Sequence, residues 1–151
     1  MTTMVETATQ QRWMSALAAA GESLLEEAWA ALAPPPGYRL LRPVDIGMTL
    51  LRGRIGGSGR PFNLGEATMT RAAVALATGE KGFAYLLGRH PRRAELAAIF
   101  HALLQREESR ALVEERVIRP AEGARRKAAA AEHAASAGTR VDFATVVRGD
   151  G

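Results

Sequence analysis

Apolar residues in the N-terminal part of the chain recur at intervals of three and four. Trp13, Met14, Leu17 and Ala18 fall on one face of a helix predicted over Thr7 to Ala20. Leu24, Leu25, Ala28, Trp29 and Leu32 do the same for a second helix, from Glu22 to Leu32. Gly21 separates the two, and Glu22, Glu26 and Glu27 lie toward the second helix's N-terminal half, where the helix dipole favours negative charge. The expected unit is an αα-hairpin over about 7–33, and core packing already explains both tryptophans. Pro34-Pro35-Pro36-Gly37 closes it, because proline neither continues a helix nor tolerates helical geometry in the residue before it.

The period then changes from helical to two. Tyr38 to Arg42 and Ile46 to Ile55 read as strands around a turn at Pro43 and Asp45, the second with Met48, Leu50, Arg52 and Arg54 on one face. Gly56 to Gly65 reads as a loop. Glu66 to Thr78 mixes helix-favouring alanines with Thr68, Thr70 and Val74. It is taken as a strand because Thr78 to Gly82 is hairpin chemistry and Phe83 to Leu87 is a convincing return strand, which predicts four strands in antiparallel succession. His90-Pro91 opens a helix with Ala94, Leu96, Ala97, Ile99, Phe100, Leu103 and Leu104 buried on one face of the sheet. His101, inside that periodicity, reads as a satisfied helix histidine. A helical stretch from Glu107 to Arg116 follows, punctuated by Pro120 and Gly123. Ala124 to Ala137 then forms an alanine-rich helix that needs close packing on something, since alanine buries little area. The expected fold class is α+β: an antiparallel four-stranded sheet (about 38–89), an N-terminal helical hairpin and C-terminal helices (about 91–137). It forms a single domain with a terminal tail over 139–151.

Composition narrows the chemistry. The 151 residues suffice for one core, and 47% hydrophobic with 24% charged residues is ordinary for a globular protein. Cysteine is absent, which removes disulfides, thiolate chemistry and cysteine metal sites from this chain. No apolar run reaches the roughly 18 residues of a membrane span, so a cytoplasmic protein is the expectation. Charge is uneven: residues 38–90 hold eight Lys and Arg against three acids, whereas residues 1–37 hold one Arg against four Glu. Eighteen of the twenty basic residues are Arg. That suits bidentate recognition of phosphate, and it follows equally from an arginine-rich codon bias. Aromatic residues at 5%, with no basic run alternating with stacking rings, argue against a nucleic-acid partner.

The glycine cluster Gly56, Gly57, Gly59 with Arg60 beside it marks a special loop. It is no P-loop, lacking the Lys-Ser/Thr pair, and no dinucleotide fingerprint, lacking the glycine spacing. A wide hairpin turn would explain it as well. The three histidines have no metal spacing, and neither a nucleophile elbow nor a motif-placed carboxylate pair occurs, so no catalytic or metal residue is assigned. His90, Arg92 and Arg93 cluster at a helix start, where anions are attracted; contact with a partner is the favoured reading there. The tail places Val141, Phe143, Val146 and Val147 among Arg140, Asp142, Arg148 and Asp150. It is expected to dock, preferably on another subunit.

Three separated segments, GGSGRPFNLGEATMTRAAVAL, GFAYLLGRHPRRAE and TRVDFATVVRGD, together with the opening QRWMSALA, resemble the PhnG family in the right order, from Gln11 to Asp150. PhnG is the G subunit of the bacterial carbon-phosphorus lyase core complex. The resemblance implies an accessory subunit acting with PhnI-like, PhnJ-like and PhnH-like partners and with ATP-binding-cassette-like PhnK and PhnL. It implies no cofactor in this chain, no membrane, and ATP as a substrate of the complex, from which adenine is displaced by a phosphonate in a step that requires PhnI, PhnH and PhnL as well. On that reading Gly56, Gly57, Gly59, Arg60 and Arg71, with Arg89 and His90 nearby, face the substrate or a partner, and Arg140, Val141, Asp142, Phe143 and Arg148 form a docking tail. A purely structural scaffold that holds PhnI and PhnJ without touching substrate stays open beside it.

Overall fold

The computed structural model describes residues 5–54 and 61–136, with side chains described over 5–50 and 65–135. The N-terminal hairpin consists of α1 (Thr7–Ala19) and α2 (Glu22–Ala30), which bury Trp13, Ala16, Leu17, Leu25 and Ala28. Gly21 caps α2 with ordinary extended dihedrals (φ −72°, ψ 157°) and open space where a side chain would stand. The break between the helices therefore uses no property peculiar to glycine.

Four strands form one antiparallel sheet: β1 (Tyr38–Leu40), β2 (Asp45–Arg54), β3 (Pro61–Leu76) and β4 (Lys81–Leu87). Their order differs from simple succession. At 16 residues β3 is roughly 50 Å long. It pairs with β1 at one end (Tyr38↔Leu76) and with β2 along the rest (Asp45↔Arg71 to Arg54↔Pro61). Strands β1 and β2 thus lie end to end along one edge of β3 and do not pair with each other. The jog at residues 41–44 carries Pro43, which cannot donate to a ladder. β4 takes the other edge, from Ala75↔Lys81 to Met69↔Leu87.

β3 also begins earlier than predicted, so residues 61–65 belong to a strand and not to the expected loop. The hydrogen-bonded run of β2 supplies partners as far as Pro61, with a register shift at Leu51/Arg52 opposite Gly65 and Asn63. Because the β4 ladder stops at Met69 while that of β2 continues, residues 48–54 and 61–68 form a two-stranded arm that projects past the core.

Helix α3 (Pro91–Gln105) is the centre of the core. Ten of its residues are buried, including Leu96, Ile99, Phe100 and Leu104, and it packs on β3 and β4 on one side and on α1, α2 and α4 on the other. The sequence places its apolar surface on one face of the sheet; the helix is in fact buried on its other side as well, which its nearly continuous apolar sequence serves. The fold is three layers deep, with the sheet, α3 and the remaining helices in turn. Gly82 of β4 sets the first spacing, because a Cβ there would lie 1.9 Å from the carbonyl oxygen of Ala98 and 2.5 Å from the Ala102 nitrogen.

The C-terminal helices run on without the break expected at Pro120 and Gly123. Helix α4 (Glu107–Val113) leads into a π-helical turn (Glu114–Ile118) and then α5 (Arg119–Ser136). Arg119 N–H reaches back to the Glu114 carbonyl, and this wider turn carries the chain past Pro120, which lacks an N–H and would crowd the carbonyl four residues earlier. From Ala124 to Ala135 α5 is exposed throughout. The close packing expected of the alanine-rich helix is not supplied by the described residues of this chain.

Candidate functional site

Of the residues singled out in the sequence, Gly56, Gly57, Gly59, Arg60 and the tail residues Arg140, Val141, Asp142, Phe143 and Arg148 lie outside the described residues. Arg71, Arg89 and His90 lie at the base of the arm. Arg71 stands on β3 with Asp45 of β2 on one side and Tyr85 of β4 on the other, and its guanidinium donates to the Asp45 carboxylate. Both side chains of that ion pair are about two-fifths exposed (41% and 43%), so it is a surface pair of modest worth.

Arg89 and His90 form the turn from β4 into α3, and one buried hydroxyl fixes this turn. Thr70 Oγ1 donates to the Gly88 carbonyl (2.6 Å) and accepts from the His90 backbone N–H (3.0 Å), while Gly88 N–H donates to the Thr68 carbonyl (2.8 Å). Gly88 has φ +92°, a conformation side chains disfavour. The His90 ring folds back over it, its Nε2 lying 2.8 Å from where a Cβ would be. Arg89 is exposed and makes no ion pair among the described residues. Sequence reasoning used Thr70 only as a strand-favouring residue; its hydroxyl, between Met69 and Arg71, is fully buried here.

The cluster at the start of α3 turns to the chain's own acceptors. Arg92 pairs with Glu26 (3.0 Å) and Glu95 (3.4 Å), and Arg93 donates to the Ala18 carbonyl (2.9 Å). Glu95 also accepts from the Tyr38 hydroxyl (2.7 Å), whose ring meets Trp29 edge-on. Burial first, and then that carboxylate, push the Tyr38 pKa up. These side chains tie α1 and α2 to the sheet and α3, and they set two carboxylates and a carbonyl beside the dipole-opposing charge of Arg92 and Arg93.

His101 sits in an open cleft of about 710 Å³ that Gln10, Glu80, Lys81, Phe83 and Gln105 also line. Its Nδ1 accepts from the Phe83 backbone N–H (3.0 Å), so the neutral ring carries its proton on Nε2 and donates to Gln10 Oε1 (2.7 Å). Gln105 closes the ring by exchanging hydrogen bonds with Gln10 (2.7 and 3.1 Å). Burial lowers the His101 pKa to about 4. With both nitrogens engaged, the imidazole holds β4, α3 and α1 together and has no free position for acid–base work.

A second polar cluster joins the far helices. Arg12 pairs with Glu114 and Glu122 (2.9 Å each), Trp13 Nε1 donates to Glu114, and Arg110 stacks 5.6 Å from the Trp13 ring centre. Arg12 holds Glu122 below its ordinary pKa. Among the described residues no group of three His, Asp or Glu side chains could hold a metal ion, and no helix is long and apolar enough to cross a membrane.

The described residues therefore define an α+β protein whose buried polar groups serve the fold, while exposed apolar side chains stand uncovered on β2 and β4 (Met48 62%, Leu50 51%, Tyr85 45% and Leu87 58%). Such surfaces belong to the class of proteins that work against other proteins. The family model for phosphonate metabolism protein PhnG matches residues 8–149, and the chain belongs to that family. It is 44% identical over 146 residues to the alpha-D-ribose 1-methylphosphonate 5-triphosphate synthase subunit PhnG of Rhizobium meliloti (strain 1021), covering 95% of this chain and 91% of that protein.

Proposed function

We propose that this chain is an accessory subunit of a ribose 1-methylphosphonate 5-triphosphate synthase, working in the cytoplasm beside PhnI-like, PhnH-like and PhnJ-like subunits and the ATP-binding-cassette-like PhnK and PhnL. In the proposed reaction a phosphonate displaces adenine from the ribose C1 of ATP. The full-length likeness to a named synthase subunit carries the reading. Arg89, free of any ion pair among the described residues, and Arg60 are the arginines proposed to meet the strongly anionic phosphonate and triphosphate, since oriented guanidinium groups stabilise such charge. The test is co-expression with the PhnI-like subunit, gel filtration, and an adenine-release assay with ATP and methylphosphonate. Co-elution with activity dependent on this chain supports the reading; a chain that ignores the partner and adds nothing removes it.

The scaffold reading has its own support in the Arg71–Asp45 pair, which engages one of the arginines otherwise available to substrate. Arg60→Ala and Arg89→Ala in the intact complex separate the two. Loss of turnover with assembly unchanged selects the substrate-facing role, and unchanged kinetics select the scaffold.

A further inference from the structure

Antiparallel sheets with one face on a core ordinarily turn polar side chains outward on the other. Here the register sets Phe83, Tyr85 and Leu87 of β4 beside Ala73, Arg71 and Met69 of β3, all on the face opposite α3. No element packs on that face among the described residues, and the three β4 side chains are 37–58% exposed. Ala73 and Ala75 form a low floor between rims. Arg39 of β1 and Lys81 of β4 both pair with Ala75, one on each side, so two cations flank the floor at one end. Neither makes an ion pair among the described residues, and both line an open cleft of about 490 Å³.

We infer that this outer sheet face is the docking surface for another subunit of the complex, one that presents an apolar centre to Phe83, Tyr85 and Leu87 and carboxylates to Arg39 and Lys81. The inference rests on the subunit reading above and adds the surface and the chemistry of its partner. Charge decides the occupant. Arg71 pairs with Asp45, which leaves the described part of the face with a net positive charge at its Arg39–Lys81 end, and a second copy of the same face, whose Asp45 carboxylate is already engaged, offers those cations no acidic partner. An acidic rim on a different subunit would satisfy them.

The chain has no cysteine, so a single introduced thiol is a unique reporter. Tyr85→Cys and Arg39→Cys, each checked for wild-type Tm, are labelled with a maleimide in the isolated chain and in the complex co-expressed with the other subunits. The expected result is labelling at least about tenfold slower in the complex at both positions, with Tyr85→Asp weakening assembly about thirtyfold, as for a central aromatic anchor. Arg39→Glu with Lys81→Glu is expected to weaken it about tenfold at low salt and less at high salt. Unchanged labelling in a complex that contains the chain overturns the inference. So does protection already present in the isolated chain, whether it grows with concentration, which indicates a second copy, or does not, which indicates the chain's own tail. Charge reversal without effect overturns the acidic rim. If the wild-type chain fails to join the other subunits, the subunit reading itself falls, which is a different result from any of these.

Discussion

A neutral imidazole at position 101 makes the fold sensitive to acid. Its folded pKa of about 4 lies below the ordinary 6.5, so between those values the unfolded chain binds a proton that the folded chain refuses. Stability is therefore lost as pH falls from 6.5 toward 4, by on the order of 3 kcal/mol in all. Burial is the cause, and the geometry agrees with it, because a proton on Nδ1 would confront the Phe83 N–H that this nitrogen accepts. The drop in Tm between pH 7 and pH 4.5 should be smaller in His101→Gln than in the wild type; an equal drop would show that other groups carry it. Gly82 is a second single-residue determinant. Gly82→Ala should cost about 3 kcal/mol in urea unfolding, since the new methyl meets helix backbone that cannot move aside without parting α3 from β4. Glycine at 82 looked like turn chemistry from the sequence, because nothing local distinguishes a residue that turns the chain from one that admits a helix.

Helices and strands were legible in type wherever one face met water. The α1/α2 pair, β2 and β4 follow their apolar periods closely. Where an element is covered on both sides, as α3 is, the period fades, and where a ladder partner extends a strand, as β2 does for β3, local preference has little say. Pro120 misled for a related reason: the rule that proline ends a helix assumes an α turn before it, and here a π turn precedes it. The β4–α3 turn depends on Thr70, a residue distant in sequence. Thr70→Val should lower stability by about 2 kcal/mol by stranding the Gly88 carbonyl and the His90 N–H, with faster amide exchange at Arg89 and His90. In contrast, the exposed part of α5 draws on alanine's helix propensity and on little burial. Ala129→Gly should reduce helical circular dichroism while leaving the Tm of the core unchanged.

At the scale of the molecule, burial is concentrated around α3, and Met48 and Leu50 at the base of the arm, the outer sheet face and the distal half of α5 are left without cover among the described residues. That division separates what folds the chain from what it presents. Met48→Lys with Leu50→Lys should therefore raise the solubility of the isolated chain and shift its stability by no more than about 0.5 kcal/mol, measured by precipitation and by thermal melting. A large loss of stability would place those side chains in the fold after all. As for the candidate site, the sequence drew attention to Arg71, Arg89 and His90. It did not show that the Asp45 carboxylate engages Arg71 while Arg89 makes no ion pair among the described residues, because that pairing depends on register between residues 26 apart in sequence.

The amino-acid order by itself determined the family, the α+β class, the helical hairpin and the hairpin return into β4, since each rests on local period, turn residues or motif order. Tertiary structure decided the rest: that β1 and β2 share one edge of β3, that α3 is enclosed, that His101 is neutral and occupied, and that Phe83, Tyr85 and Leu87 face outward beside two cations with no ion pair among the described residues. Those outcomes depend on which distant residues meet, and a strand's period of two names its two faces without saying which of them a helix will cover.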